Sequence, residues 1–147
     1  MTEAEEALSV AFKHFRFTRE AEAFLLRVWR MIQAFDDFAD GDFVQRKDLD
    51  MVIWDAFIGM PEDEFANRYQ QVRAGLATMI LKWQASDKAE RNGKANAMSF
   101  SWRAGYYDLI MLVACICLGY EQANAISSEV MNLYGETFDD YMREFNA

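Results

Sequence analysis

Carboxylates are the residue type in this chain most able to do chemistry, and they are crowded at one place. Asp36-Asp37-Phe38-Ala39-Asp40-Gly41-Asp42 puts four acids into seven residues, at the end of an apolar helical pattern. A helix C-terminus already carries about half a negative charge, so each acid there costs roughly 0.3–1 kcal/mol unless something positive offsets it. On an ideal helix Asp36, Asp37 and Asp40 fall within an arc of about 100°. Hard divalent cations accept such oxygen ligands, so Asp36, Asp37 and Asp40 are a candidate site for Mg²⁺ or Mn²⁺. The alternative is a solvated acidic helix end. A second pair is Arg103 and Asp108, on an apolar segment where an unpaired carboxylate is expensive. The two are read either as a structural ion pair, or with Asp108 hydrogen-bonded by tyrosine, or as the lining of a pocket facing the acidic end.

The remaining chemistry is sparse. His14, the one histidine, lacks partners for a triad, a zinc site or a di-iron motif. Cys115 and Cys117 lie two apart in a helical pattern, pointing about 200° apart, which argues against a disulfide and for buried free thiols in a reducing compartment. Trp29, Trp54, Trp83 and Trp102 occupy helical-face positions expected in the core.

Six helices must position these residues. With one proline, Pro61, few glycines and no β-branched runs, helix is favoured throughout. Thr2 and Glu5 form a capping-box pattern opening the first helix, to about Phe17. Thr18 caps a second with the stripe Phe24, Val28, Met31, Ile32, Phe35 and Phe38, ending at Gly41. A third spans about Arg46 to Ile58. The fourth carries the heptad seam Phe65, Tyr69, Val72, Leu76, Met79 and Trp83. The fifth, about Ala97 to Leu118, is the expected buried centre, and the sixth runs from about Glu121 to Phe145. The expected fold is all-α, one domain over 1–147, an antiparallel bundle around the fifth helix.

The 147 residues carry a formal charge of −9, and residues 36 to 64 hold ten acids against two bases, a net −8. Such a surface repels phosphates and anionic lipid, which excludes direct nucleic-acid and membrane binding as expectations and suits a basic protein partner or a cation. Asp42, Asp48, Asp50, Glu62, Asp63 and Glu64 are the candidate partner-binding acids. The acidic N-terminus lacks the basic character of a signal segment, and the longest apolar run, Leu109 to Leu118, is half what a bilayer needs. A cytoplasmic protein is expected, with a homo-oligomer open through the heptad seam or the sixth helix.

Asp36-Asp37-x-x-Asp40 resembles the aspartate-rich motif of isoprenoid synthases, which would imply Mg²⁺ and a diphosphate; the required second acidic motif is absent, Asn124-Ala125-Ile126-Ser127-Ser128 lacking the acid. Glu3-x-x-Glu6 and Glu136-x-x-Asp139 resemble the paired acids of all-α nucleotide pyrophosphohydrolases, at opposite ends of the chain rather than on neighbouring helices. Over most of the chain the order Asp36-Asp37-x-x-Asp40-Gly41-Asp42, Asn67, Trp83, Arg103, Asp108, Gly119 and Tyr141-x-x-Glu144 is similar to small helical proteins of tailed phages and prophages. That likeness implies a phage accessory protein in the host cytoplasm. The leading expectation is a small acidic protein that binds a protein partner through its acidic end. The competing one is a metal-dependent enzyme acting on a phosphate-containing small molecule, with Arg103 holding the anion and Asp108 orienting water or the metal.

Overall fold

Two threonine hydroxyls open the first two helices. In the computed structural model, which describes residues 1–145, Thr2 accepts from the Glu5 amide (3.2 Å) and opens α1 (Glu3–His14). Thr18 accepts from the Ala21 amide (3.2 Å) and opens α2 (Arg19–Ala39). Each hydroxyl satisfies an amide that the first helical turn leaves without a partner. Gly41, at φ +77°, takes the left-handed conformation beyond the end of α2 that side chains disfavour. The described residues form helices and turns, with no strand.

Contacts cluster into two compact units, Met1–Gln70 and Gln71–Ala147. In the first, α2 packs against α1, α3 (Arg46–Trp54) and α4 (Glu64–Arg68). Its interior is aromatic. Phe12, Phe24, Leu25 and Phe65 are buried, with the Phe24 and Phe65 ring centres 5.5 Å apart. Such large rings contribute the bulk of the apolar area removed from water. Lys13 and Ser9 reach from α1 to Glu22 on α2. Partial burial raises the Glu22 pKa, but the Ser9 hydroxyl and the Lys13 ammonium, 2.9 Å away, outweigh it and leave the carboxyl below its usual range.

The second unit is built on α5 (Gln71–Arg91), α6 (Ala97–Trp102), α7 (Gly105–Leu118), α8 (Tyr120–Met131) and α9 (Phe138–Phe145). Helix α7 packs against α5 and α8, and buries Leu109, Ile110, Val113 and Ala114. It is the centre of this unit, as its composition implies. Yet it is not apolar all round: Asp108 and Cys115 face outward, Cys117 is half-buried and both thiols are free.

The helices are shorter and more numerous than the six expected. The heptad pattern from Phe65 to Trp83 is interrupted at Tyr69, whose φ of −120° and ψ of 81° are not helical, so Phe65 lies in the first unit and Val72 in the second. Within α5 the buried positions are Val72, Met79 and Ser86, still seven apart. The fifth pattern breaks at Arg103 and Ala104 into α6 and α7; the sixth breaks after Met131, and the chain resumes as α9. No proline marks these breaks. Helix α6 itself opens on a reciprocal cap between Asn96 and Ser99. The tryptophans also depart from expectation: Trp54 is exposed, and Trp29, Trp83 and Trp102 are half-buried.

Candidate functional site

The acidic segment ends α2 and enters the loop of residues 40–45. Asp36, Asp37 and Asp48 are half-buried there, whereas Asp40, Asp42 and Asp50 are exposed, as are Glu62 and Glu64 beyond α3. Partial burial raises the Asp37 pKa, and the nearby charges of Asp36, Asp42 and Asp48 raise it further. The acids therefore form a mutually repelling field. No group of three or more His, Cys, Asp or Glu side chains capable of holding a metal ion occurs among the described residues. Asp36, Asp37 and Asp40 are thus not brought together as the expected Mg²⁺ or Mn²⁺ ligand set. Arg46, at the start of α3, pairs with Asp50 of its own helix at 3.0 Å.

The second expected pair is not a pair. Asp108 binds Lys82 of α5 at 2.5 Å, in an exposed bridge. Arg103 instead joins two carboxylates, Glu90 (3.4 Å) and Glu136 (3.5 Å), while its guanidinium lies over the rings of Tyr141 and Phe145, at 5.1 and 5.4 Å. Tyr141 donates to Glu90 (2.9 Å) and shares a 2.6 Å hydrogen bond with Ser99; Tyr134 donates to Glu136 (2.7 Å). Burial pushes the Tyr141 phenol up to about 12, as it does that of Tyr107, and raises Tyr134 as well. These groups bind one another. The Arg103 network fastens α9 and the loop before it to α5 and α6.

A feature absent from the sequence reading surrounds the acids. From the end of α2 through α3, large apolar side chains point into solvent: Phe43 is 87% exposed, Phe57 74%, Phe38 73%, Trp54 62%, Ile53 60% and Phe35 58%. Leu49 is exposed as well, and α3 itself buries none of its residues. Phe35 and Phe38 were expected on the inner stripe of α2; that stripe is buried at Phe24 and Val28, half-buried at Met31 and Ile32, and exposed at Phe35 and Phe38. Single exposed hydrophobes are ordinary, but a run of this density marks an interaction surface.

An ionic clamp holds the segment that follows α3. Helix α3 passes into a π turn, Asp55–Gly59, closed by the Met60 amide on the Asp55 carbonyl (2.7 Å). Arg27 of α2 donates to Asp55 (2.6 Å) and to Asp63 (3.4 Å), and Asp63 also caps α4 through the Ala66 amide (2.9 Å). Asp63, expected among the solvent-facing acids, is therefore buried and structural. A β-carbon on Gly59 would stand 2.2 Å from Arg27 Nη1 and 2.4 Å from Asp55 Oδ1, so only glycine admits the guanidinium here. Among the described residues, Asp55 Oδ2 is the buried side-chain oxygen or nitrogen left without a hydrogen-bond partner. One cation faces two carboxylates, and one acceptor stays unfilled. The π turn itself is a rare geometry, common at functional positions.

No family model matches the chain, and no curated protein or solved structure matches it either. The functional reading rests on this geometry. Among the described residues no helix is long and apolar enough to cross a membrane.

Proposed function

We propose that this protein acts by binding a protein partner through the surface that runs from Phe35 to Glu64. The observation that carries the reading is the outward display of Phe35, Phe38, Phe43, Ile53, Trp54 and Phe57 among solvent-facing acids. Burying one such side chain is worth roughly 1.5–3 kcal/mol, so a partner that covers a few of them gains enough to offset the entropy of association. The acids choose among partners. They repel phosphates and anionic lipid headgroups and attract a basic rim, which steers encounter as well as selecting it.

The test is affinity capture from cells that express the chain, comparing the native protein with Ile53→Asp/Phe57→Asp and with the control Tyr120→Asp. Tyr120 is an exposed aromatic of the second unit. A protein retained by the native chain and the control but lost from the double variant is the expected result. Identical capture by all three removes this surface from consideration.

A further inference from the structure

Resting on that reading, we infer that the partner segment seated on this surface is a basic amphipathic helix, its apolar side on Leu49, Ile53, Trp54 and Phe57 and its lysines or arginines toward Asp36, Asp37, Asp42 and Asp48. Shape is the first argument. Leu49 and Ile53 stand one helical turn apart on α3, and Phe57 continues the row into the π turn, all three exposed. From Leu49 to Phe57 the row runs about 12 Å, eight steps at about 1.5 Å each. A linear apolar strip of that length matches the anchors that a helix presents at positions i, i+4 and i+7 or i+8.

Charge is the second. Residues 36 to 64 carry a net −8, and Asp36, Asp42 and Asp48 already act on Asp37 closely enough to oppose its ionisation. A cationic side chain brought to this surface relieves that repulsion. A second copy of the chain would bring the same negative field against itself, which argues against the homodimer as occupant.

The experiment is calorimetric titration of the full chain with a synthetic amphipathic helix of lysine and leucine, about 18 residues long. Two comparators share its length: one of identical composition with the amphipathic order scrambled, one with glutamate replacing lysine. The lysine–leucine helix is expected to bind at least about tenfold more tightly than the scramble, and the glutamate peptide not measurably. Ile53→Ser/Phe57→Ser should erase the margin over the scramble. Asp36→Asn/Asp37→Asn/Asp42→Asn should weaken binding and flatten its salt dependence. All these positions are exposed or half-buried, and helical circular dichroism checks that the variants are folded.

Equal binding of the scramble, or indifference to Ile53→Ser/Phe57→Ser, overturns the helix assignment. Stronger binding of the glutamate peptide, or self-association of the chain that Ile53→Ser abolishes, overturns the basic character and points to a second copy. If cellular capture depends on Ile53 and Phe57 while the peptides are not discriminated, the surface stands and only the helical class of partner falls.

Discussion

Two arginines each hold a pair of acidic side chains, and the pairs behave differently. Arg103 joins Glu90 and Glu136 with side-chain exposure of 13%, 9% and 24%, and tyrosine hydroxyls complete both carboxylates. Arg27 joins Asp55 and Asp63, yet Asp55 keeps one buried oxygen with no donor, and its guanidinium remains 25% exposed. The first network is surrounded by rings that pack on one another, Phe100 with Tyr134, Phe138 and Tyr141. The second holds a π turn whose ring, Phe57, faces water. A filled network rigidifies its element, whereas an incomplete one holds its element while leaving charge for something else to balance. The second unit's charges are thus closed among its own side chains, while the first unit keeps a buried acceptor without a donor.

The comparison breaks first on the arginines themselves. Arg103→Met leaves Glu90 and Glu136 partly buried without their cation and is expected to cost about 3–5 kcal/mol. Arg27→Met is expected to cost less, about 1–3 kcal/mol, because its guanidinium is partly solvated. Denaturant titration of both variants checks the order; equal losses would erase the distinction.

A sharper version replaces one acid in each cluster. Glu90→Gln disturbs an oxygen that accepts from both Arg103 and Tyr141, at a cost of about 1–3 kcal/mol. Asp55→Asn retains an acceptor for Arg27 and places a neutral group where an oxygen lacked a donor, and should cost less than about 1 kcal/mol. A larger loss for Asp55→Asn would show that its second oxygen is satisfied in solution.

The second unit should also respond to alkali. Tyr107 and Tyr141 hold their protons up to about 12 in the folded chain, against 10 for a free phenol, and burial is the leading cause for both. A folded-state pKa raised in this way favours folding below the ordinary tyrosine range only by comparison: as pH rises through about 10, the unfolded chain loses protons first and stability falls until about 12. Phenolate absorbance should rise in step with unfolding. Tyr141→Phe should move that rise to a different pH; ionisation without unfolding would contradict the buried placement of these rings.

The smallest effect is at the acidic end. Asp37 is held above the usual carboxylate range, so its charged form opposes folding at neutral pH and the penalty disappears as pH falls through its folded-state value. Asp37→Asn should raise stability by about 0.5 kcal/mol at pH 7, with no gain in acid. Thermal melts at the two pH values decide it, and a loss at neutral pH would mean that Asp37 already has a cation.

How much was legible differs by feature. Helix starts at Thr2 and Thr18 were readable because a cap is a local matter of one hydroxyl and an amide three residues on. The acidic surplus of residues 36 to 64 was readable for the same reason, since charge is a property of composition. The Arg27 clamp was not, because Asp55 and Asp63 lie 28 and 36 residues away and nothing local distinguishes them from their solvent-facing neighbours. Arg103 was singled out, but with Asp108, five residues on; its partners are 13 residues before it and, in Glu136, on the loop that precedes α9.

By itself the sequence determined helicity, the local caps, the negative field at one end and an apolar centre in α7, all consequences of propensity, composition and periodicity. Tertiary structure decided which apolar residues are inside. Periodicity marks a stripe at Phe35 and Phe38, and on α3 at Leu49 and Ile53, but a stripe has no sign until a neighbouring element covers it or fails to. The same holds for charge. Asp63 and Glu64 are adjacent and chemically alike, yet one is buried against Arg27 and the other faces solvent, because only the packing of α2 on α4 determines which of them meets a guanidinium.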